Sequence, residues 1–260
     1  MEYTINVNGQ LLDLQRPLVM GILNATPDSF YEVSRMRSGE DAARRAIQII
    51  SEGGTIIDIG ACSTRPGSEP VGEDEEMSRL RVALSAVRDV LPDAIISVDT
   101  FRSSVAQMAI EEFHVAIIND VSASEEMMRL SASKGVPYIL MSSESDFRQA
   151  LMFFSEKVQR MREMGQKDII LDPGFGFGKT LQQNYELMSQ LDKLQVLDLP
   201  FLVGISRKSM IWKFLGTTPN DALSGTTVLN AIALQKGASI LRVHDVKVAV
   251  DVVKMVSAVG

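Results

Sequence analysis

Three acidic or amide side chains stand at or just after the ends of short apolar runs in this chain: Asp99, Asn119 and Asp172. Carboxylates and amides can read the edge of a flat heterocycle, and the two oxygens of a carboxylate match the paired N–H donors of an aminopyrimidine. One such residue alone is more often a turn or a helix cap. Three of them at equivalent positions favour a nitrogen heterocycle as the ligand.

Basic side chains form a second set near the ends of such runs: Arg65, Arg207, Lys208, Arg242 and His244. The formal net charge of −7 argues against general nucleic-acid binding, which usually requires a basic surface. Cations that converge locally in an acidic protein still predict a polyanionic ligand such as pyrophosphate. A helix beginning just after His244 would direct its N-terminal N–H groups to the same anion.

The glycine-rich run at 172–180 (DPGFGFGKT) invites a nucleotide-binding interpretation, but its spacing argues against one. The first glycine of a phosphate-binding loop would fall at Pro173, and the glycines are spaced by two throughout. Nucleophilic catalysis is not indicated either, because Cys62 has no adjacent histidine and the chain has only two histidines. Of these, His114 precedes a predicted strand, on the face opposite the site, and is predicted to be structural.

Eight apolar runs, each followed by a segment with helical spacing, predict an α/β fold, a single (β/α)8 TIM barrel. The predicted strands cover residues 18–23, 55–60, 94–98, 115–118, 137–141, 168–171, 200–205 and 238–243. In such a barrel the residues that follow the strand ends form the active-site face. The acids and the cations are therefore expected on one face of one domain, residues 1–260.

The remaining elements follow from turn and capping residues. Asn8-Gly9 predicts a hairpin within residues 1–17 that closes the bottom of the barrel, and two helical patterns, 207–215 and 220–236, follow the seventh strand. Ser38, Ser124 and Thr180 are predicted helix caps. No apolar run approaches the ~20 residues that span a bilayer. The single cysteine fits a reducing compartment, so the sequence predicts a cytoplasmic protein with no membrane partner.

Several motifs, collinear over nearly the whole chain, resemble those of the dihydropteroate synthase family. They are MGILNATPDSF at 20–30, DIG at 58–60, STRPG at 63–67, SVDT at 97–100, IND at 118–120, DPGFGFGK at 172–179, GISRKS at 204–209 and RVHDV at 242–246. The resemblance implies a transferase that condenses 6-hydroxymethyl-7,8-dihydropterin pyrophosphate with 4-aminobenzoate in folate biosynthesis and is the target of sulfonamide inhibitors. It also implies a Mg2+ requirement and a homodimer.

The resemblance further implies a role for each matching residue. Asp172 would face the aminopyrimidine edge of the pterin, and Arg242 would stack on its ring. The other implied pterin contacts are Asp99, Asn119, Met141, Phe177, Gly204 and Lys208. The implied pyrophosphate contacts are Asn24, Arg65, Arg242 and His244, with Mg2+ on Asn24. The implied 4-aminobenzoate contacts are Phe30, Thr64, Arg65, Pro66 and Ser206. The loops that carry Asp28, Phe30 and Arg65 would order over the bound substrate.

Two departures from the family pattern keep alternatives open. Residues 31–34 read YEVS where the family commonly has SDGG, and Met141 is followed by serine rather than the usual histidine. The first alternative is a pterin-binding barrel of the corrinoid methyltransferase type. The STRPG motif and the Arg242–His244 pair disfavour it, because such a barrel needs neither. The second alternative is a non-catalytic pterin-binding paralogue, which the altered loop 31–34 keeps open because loops on the catalytic face carry function.

Overall fold

The computed structural model describes residues 3–25, 32–62 and 71–259. Eight parallel strands form the predicted barrel: β3 (Leu18–Asn24), β4 (Ile56–Gly60), β5 (Ile95–Asp99), β6 (Ile117–Asp120), β7 (Tyr138–Met141), β8 (Ile169–Asp172), β9 (Leu202–Val203) and β10 (Ile240–Val243). Their order in the sheet is β8-β7-β6-β5-β4-β3-β10-β9. One bridge between Leu171 and Phe201 joins the two outer strands and closes the barrel.

A two-stranded hairpin, β1 (Thr4–Val7) and β2 (Gln10–Asp13), precedes the barrel as predicted. Asn8 and Gly9 both have positive φ, 52° and 86°, which fits the tight turn expected of an Asn-Gly pair. Ile5 and Val7 are buried in a cluster with residues from the lower ends of the barrel strands. The hairpin therefore closes the bottom of the barrel, and the opposite end remains as the site of chemistry.

Nine helices surround the barrel in the part of the chain that is described: α1 (Glu32–Ser51), α2 (Glu73–Val90), α3 (Ser103–Phe113), α4 (Glu125–Lys134), α5 (Phe147–Glu163), α6 (Leu181–Ser189), α7 (Ser209–Leu215), α8 (Leu223–Gln235) and α9 (Val246–Val259). The side chain of Ser124 caps α4, and Thr180 forms a capping box with Gln183 at the start of α6. These two of the three predicted caps, and the extra helix after the seventh barrel strand, are confirmed. Within the described ranges, no helix is both long and apolar enough to cross a bilayer.

Two boundaries differ from the predictions. The first helix begins at Glu32 rather than near residue 39, so Ser38 lies inside α1 and is not its cap. Residues 32–38 contain no glycine or proline that would stop the helix earlier. Strand β9 covers two residues rather than 200–205. The chain leaves the sheet in a turn, in which the N–H of Lys208 donates to the carbonyl of Ile205 at 3.0 Å and Arg207 has a φ of 53°.

Candidate functional site

The three predicted ligand-reading residues lie together at the carboxyl ends of the barrel strands. The strand register pairs Asp99 of β5 with Asn119 of β6, and pairs Asp172 of β8 with the end of β7 at Met141. Asp99 and Asn119 belong to one hydrogen-bond network around the guanidinium of Arg242. The structure thus confirms that residues up to 73 positions apart in sequence, Asp99 and Asp172, face one barrel mouth.

Arg242 of β10 joins two carboxylates inside this mouth. Its Nε donates to Oδ2 of Asp58 at 2.6 Å, and its Nη2 donates to Oδ2 of Asp99 at 2.5 Å. The same Asp58 oxygen accepts a hydrogen bond from Nδ2 of Asn119 at 3.1 Å. The guanidinium therefore fixes the positions of acids from two neighbouring strands, β4 and β5, and ties them to β10.

Asp58 was missed as a site residue by the analysis of strand ends. Its side chain is fully buried, and its Oδ1 has no hydrogen-bond partner among the residues that the structure describes. It lies in the middle of β4 rather than at its end, so only its charge within the otherwise apolar run 55–60 could have pointed to it. A carboxylate is rarely buried unless it is paired, and Arg242 is the partner that the fold supplies.

Lys208 lies on the other side of the mouth, against the glycine-rich run. Its Nζ donates to the carbonyl of Phe175 at 2.5 Å and lies 4.8 Å from the ring centroid of Phe177. Asp172 accepts a hydrogen bond at Oδ1 from the N–H of Gly174 at 2.8 Å. Lys208 therefore lies close to the carboxylate of Asp172, and its ammonium is the main positive charge acting on that carboxylate.

The glycine-rich run forms a tight turn that sits on the end of β7. Gly174, Gly176 and Gly178 all have positive φ, between 61° and 81°, a conformation that glycine adopts without strain. The Nζ of Lys179, which the strand-end analysis also missed, donates to three backbone carbonyls, those of Ser142, Gly174 and Phe177, at 3.0–3.3 Å. This lysine holds the turn against the barrel.

We expect Gly174→Ala to unfold at lower temperature than a matched variant, Gly135→Ala. Both glycines have a φ of 65°, but a Cβ at Gly174 would lie 2.1 Å from the carbonyl oxygen of Ser142, whereas one at Gly135 meets nothing within 4 Å. Backbone strain alone should cost about 1–2 kcal/mol, and the clash should add about 1–3 kcal/mol for Gly174 only. Thermal unfolding of the two variants compares them, and equal losses would contradict this account of the turn.

Burial shifts the ionisation of the charged groups in the mouth. Burial raises the pKa of Asp99 to about 7; the guanidinium of Arg242 opposes the shift, and the nearby carboxylates, chiefly Asp58, add to it. Burial also raises the pKa of Asp172 and lowers the pKa of Lys208 to about 8. For Arg242 burial favours a lower pKa, but the carboxylates of Asp58 and Asp99 raise it above its ordinary value.

Of the predicted anion-binding residues that the structure describes, Asn24 lies at the end of β3, Arg242 in β10 and His244 just after it, while Ser206, a predicted 4-aminobenzoate contact, lies in the turn after β9. Asn24 is exposed at the end of β3. Ser206 accepts a hydrogen bond at Oγ from the N–H of His244 at 3.1 Å, and the same oxygen lies 3.1 Å from Nδ1 of that histidine. Helix α9 begins two residues later, at Val246. A Cβ at Gly204 would be 3.8 Å from the side chain of Arg242, so this glycine lies directly beside that guanidinium's stem.

Arg207 does not join this set, contrary to the prediction. Its guanidinium donates to both carboxylate oxygens of Asp245, at 2.8 and 2.9 Å, and to the carbonyls of Pro219 and Asn220. These bonds fix the segment before α8 against the start of α9, so Arg207 has a structural role. His114, predicted to be structural, ends α3 at the bottom of the barrel, where its carbonyl accepts hydrogen bonds from Asn8 and Arg88.

Five predicted site residues lie outside the described residues: Asp28, Phe30, Thr64, Arg65 and Pro66. Their roles stay predictions.

Comparison with known proteins places this arrangement among pterin-binding enzymes. Residues 20–244 match the sequence model of the family described as "Pterin binding enzyme". The dihydropteroate synthase of Escherichia coli strain K12 is 38% identical over 267 residues, which cover 96% of this chain and 94% of that protein. The dihydropteroate synthase of Xanthomonas albilineans, solved with 4-aminobenzoic acid, has a TM-score of 0.91 and 32% identity, covering 100% of this chain and 98% of that one. The Yersinia pestis enzyme, solved with a sulfonamide drug complex, has a TM-score of 0.90 and 35% identity, with 99% of both chains covered.

Proposed function

The chain belongs to the dihydropteroate synthase family, a group of transferases in folate biosynthesis, and we propose how its residues carry out that reaction within one domain, residues 1–260. The reaction displaces pyrophosphate from 6-hydroxymethyl-7,8-dihydropterin pyrophosphate with the amine of 4-aminobenzoate. The observation that carries the proposal is the Arg242 network. Its guanidinium, held by Asp58 and Asp99, supplies a cation for the pyrophosphate, and the carboxylates of Asp99 and Asp172 beside it supply acceptors for the pterin.

The pterin ring binds among the acids of the mouth. Asp172 accepts hydrogen bonds from the aminopyrimidine edge, whose paired N–H donors match its two oxygens. The guanidinium plane of Arg242 stacks on the ring, with Gly204 beside it leaving room for this approach. The remaining contacts come from side chains around the same mouth: Asp99, Asn119, Met141, Phe177 and Lys208.

The pyrophosphate binds at the ends of β3 and β10, to Asn24, Arg65, Arg242 and His244, near the N-terminus of α9. The described residues contain no group of three or more His, Cys, Asp or Glu side chains that could hold a metal ion by themselves. An exposed Asn24 oxygen nevertheless fits Mg2+, which commonly takes one or two protein oxygens and completes its shell with water and substrate phosphates. When bound there, Mg2+ supplies charge that stabilises the departing pyrophosphate.

The 4-aminobenzoate binds beside the pterin methylene, between Ser206 and the residues Phe30, Thr64, Arg65 and Pro66. Sulfonamide inhibitors occupy the same place, in keeping with the ligands named for the Xanthomonas and Yersinia enzymes. The aromatic amine is largely neutral near pH 7, so the reaction needs no strong general base. The loops that carry Asp28 and Arg65 order over the bound substrate and exclude water from it.

Loss of the leaving group is the difficult step, and the chain is arranged to assist it. We assign an SN1-like course in which positive charge develops on the pterin as the C–O bond to pyrophosphate breaks. Asp99 and Asp172 stabilise that charge, while Arg242, Arg65 and His244 stabilise the charge on the departing anion. The amine nitrogen then forms the new C–N bond and loses its proton to solvent.

A homodimer is part of the proposal, through the helices of the C-terminal half. Phe214 and Leu215 at the end of α7 and Val228 of α8 are 65%, 51% and 58% exposed. Exposed apolar side chains gathered on adjoining helices are typical of protein–protein contacts. The protein is expected to act in the cytoplasm.

The proposed reaction is tested by measuring pyrophosphate release with both substrates and Mg2+ present. Sustained release is expected when 4-aminobenzoate is supplied, with one pterin–aminobenzoate adduct formed for each pyrophosphate released, and chelation of Mg2+ should abolish it. A folded protein that binds the pterin pyrophosphate but releases no pyrophosphate would identify a non-catalytic pterin-binding paralogue instead.

The pH dependence of kcat/KM for the pterin pyrophosphate should be a narrow bell. Asp99 stabilises positive charge on the pterin only when it is ionised, so activity should rise as the pH increases through the pKa of about 7. Lys208 must be protonated, so activity should fall above the pKa of about 8. The pH dependence of kcat/KM reports the ionisation of groups in the free enzyme. Lys208→Arg should therefore shift only the alkaline limb, to higher pH. A flat profile between pH 6 and 9 would contradict both assignments.

A further inference from the structure

Two adjacent arginines of α1 point in different directions. Arg44 is 74% exposed and pairs with Asp41 one turn earlier, at 3.0 Å. Arg45 is partly buried and donates from Nε to the carbonyl of Ile22 at 3.3 Å and from Nη2 to the carbonyl of His244 at 2.5 Å. The first is an ordinary surface pair, whereas the second reaches the barrel wall.

The place where Arg45 binds is the upper end of the pairing between β3 and β10. The register of these strands ends with Gly21 opposite Val243. Ile22 and His244 are the next residues on the two strands, and the guanidinium of Arg45 connects their carbonyls. It therefore links the strands just where their backbone pairing stops, two residues before Asn24.

The charge of Arg45 is held in a partly desolvated place. Burial lowers its pKa, and the carboxylates of Glu52 and Asp245 oppose the shift, but an arginine remains protonated in any case. Its third partner among the described residues is neutral: Nη1 donates to Oε1 of Gln48 at 3.1 Å. Within the described part of the chain, none of its hydrogen-bond partners is an acid, so no ion pair there neutralises its positive charge.

We propose that Arg45 is a positioning residue for the pyrophosphate end of the substrate. By joining the carbonyls of Ile22 and His244, it fixes the spacing between the strand ends that present Asn24 and His244, and it adds positive charge behind them. This inference rests on the proposed function, because it takes Asn24 and His244 as pyrophosphate contacts. It adds helix α1 to an anion site otherwise formed by loops, the ends of β3 and β10 and the N-terminus of α9.

Two substitutions separate the charge of Arg45 from its geometry. A planar guanidinium can bridge two carbonyls with different nitrogens, whereas a lysine ammonium is a single point that can reach one. Arg45→Lys should therefore keep the charge and lose the bridge, and Arg45→Met should lose both while keeping an apolar stem. Arg44→Met is the matched control, because it removes the neighbouring charge from the exposed face of the same helix.

The experiment measures equilibrium binding of two probes to the full chain in Mg2+: inorganic pyrophosphate, and 6-hydroxymethylpterin, which lacks the pyrophosphate. Arg45→Met is expected to weaken pyrophosphate binding about 10-fold, the effect of about 1.4 kcal/mol, and to change pterin binding less than about twofold. Arg45→Lys should fall between wild type and Arg45→Met, and Arg44→Met should match wild type.

Four results would overturn the inference. Unchanged pyrophosphate affinity in Arg45→Met removes any role in the anion site, and equal weakening of both probes shows a merely structural role. If Arg45→Met does not fold, Arg45→Lys decides, and wild-type affinity for pyrophosphate in that variant rejects the bridge. If the wild-type protein itself does not bind pyrophosphate, the assignment of the anion site fails together with this inference. If the wild-type protein binds pyrophosphate and the Arg45 variants bind it equally well, only the inference about Arg45 fails and the anion-site assignment stands.

Discussion

Arg242→Met is expected to lower kcat/KM for the pterin pyrophosphate by about 10³-fold or more. The substitution removes a cation from the departing pyrophosphate, and the loss of one such group commonly costs about 10²–10³-fold in rate. It also leaves the carboxylates of Asp58 and Asp99 without the guanidinium that binds both, at 2.6 and 2.5 Å. Breaking a buried pair in this way costs about 3–5 kcal/mol of folding stability. Steady-state kinetics and chemical denaturation measure the two effects.

The control for Arg242 is Arg81→Met, which breaks the ion pair with Glu112 between α2 and α3. Both of these side chains are exposed, and exposed pairs contribute little to stability. This variant should keep wild-type kcat/KM. Arg242→Lys should remain severely impaired, because an ammonium cannot donate to Asp58 and Asp99 as the guanidinium does. A value of kcat/KM within tenfold of wild type in Arg242→Met would rule out its assigned role.

Asp172→Asn is expected to weaken binding of 6-hydroxymethylpterin about 100-fold. The amide has the same shape, but it replaces an acceptor oxygen by an N–H2 group that faces the N–H donors of the aminopyrimidine edge. Loss of a charged hydrogen bond costs about 1.5–3 kcal/mol. The change also removes the carboxylate that opposes the lowering of the pKa of Lys208, so the lysine should lose its proton at lower pH. Titration calorimetry measures the affinity directly.

Asp168→Asn is the matched control for Asp172→Asn. Asp168 lies just before β8, at the end of the strand opposite the site, where its Oδ2 accepts a hydrogen bond from the N–H of Asn6 at 3.2 Å. The same chemical change at this position should leave pterin affinity unchanged. If Asp172→Asn binds the pterin as tightly as Asp168→Asn does, the aminopyrimidine edge is read elsewhere.

The sequence was most informative where local physics decides the outcome. Apolar runs and caps such as Ser124 and Thr180 act over a few residues, and the corresponding strands and helices are confirmed. The predicted start of α1 was wrong. Ser38 is a good capping residue, but none of the residues directly before it stops a helix, so α1 begins earlier. The predicted length of β9 was too great, because the chain turns at Arg207 and contacts from distant elements hold that turn.

Within the site, strand ends identified Asp99, Asn119, Asp172 and Arg242 because a barrel places such positions together. Asp58 was not predicted from the strand ends because it lies inside its strand, and its partner Arg242 is 184 residues away in sequence. Arg207 was misassigned for a similar reason, because nothing local shows that Asp245, 38 residues on, neutralises it. The bridge made by Arg45 could not be predicted at all, since its partners are backbone carbonyls.

The most direct test of the central claim is detection of the product by mass spectrometry. The purified protein is incubated with 6-hydroxymethyl-7,8-dihydropterin pyrophosphate, 4-aminobenzoate and Mg2+, with Asp172→Asn and Asp168→Asn in parallel. We expect the pterin–aminobenzoate adduct from the wild-type protein and from Asp168→Asn, and little or none from Asp172→Asn or after Mg2+ is chelated. Absence of the adduct from a folded wild-type protein, or equal yields from the two variants, would contradict the account.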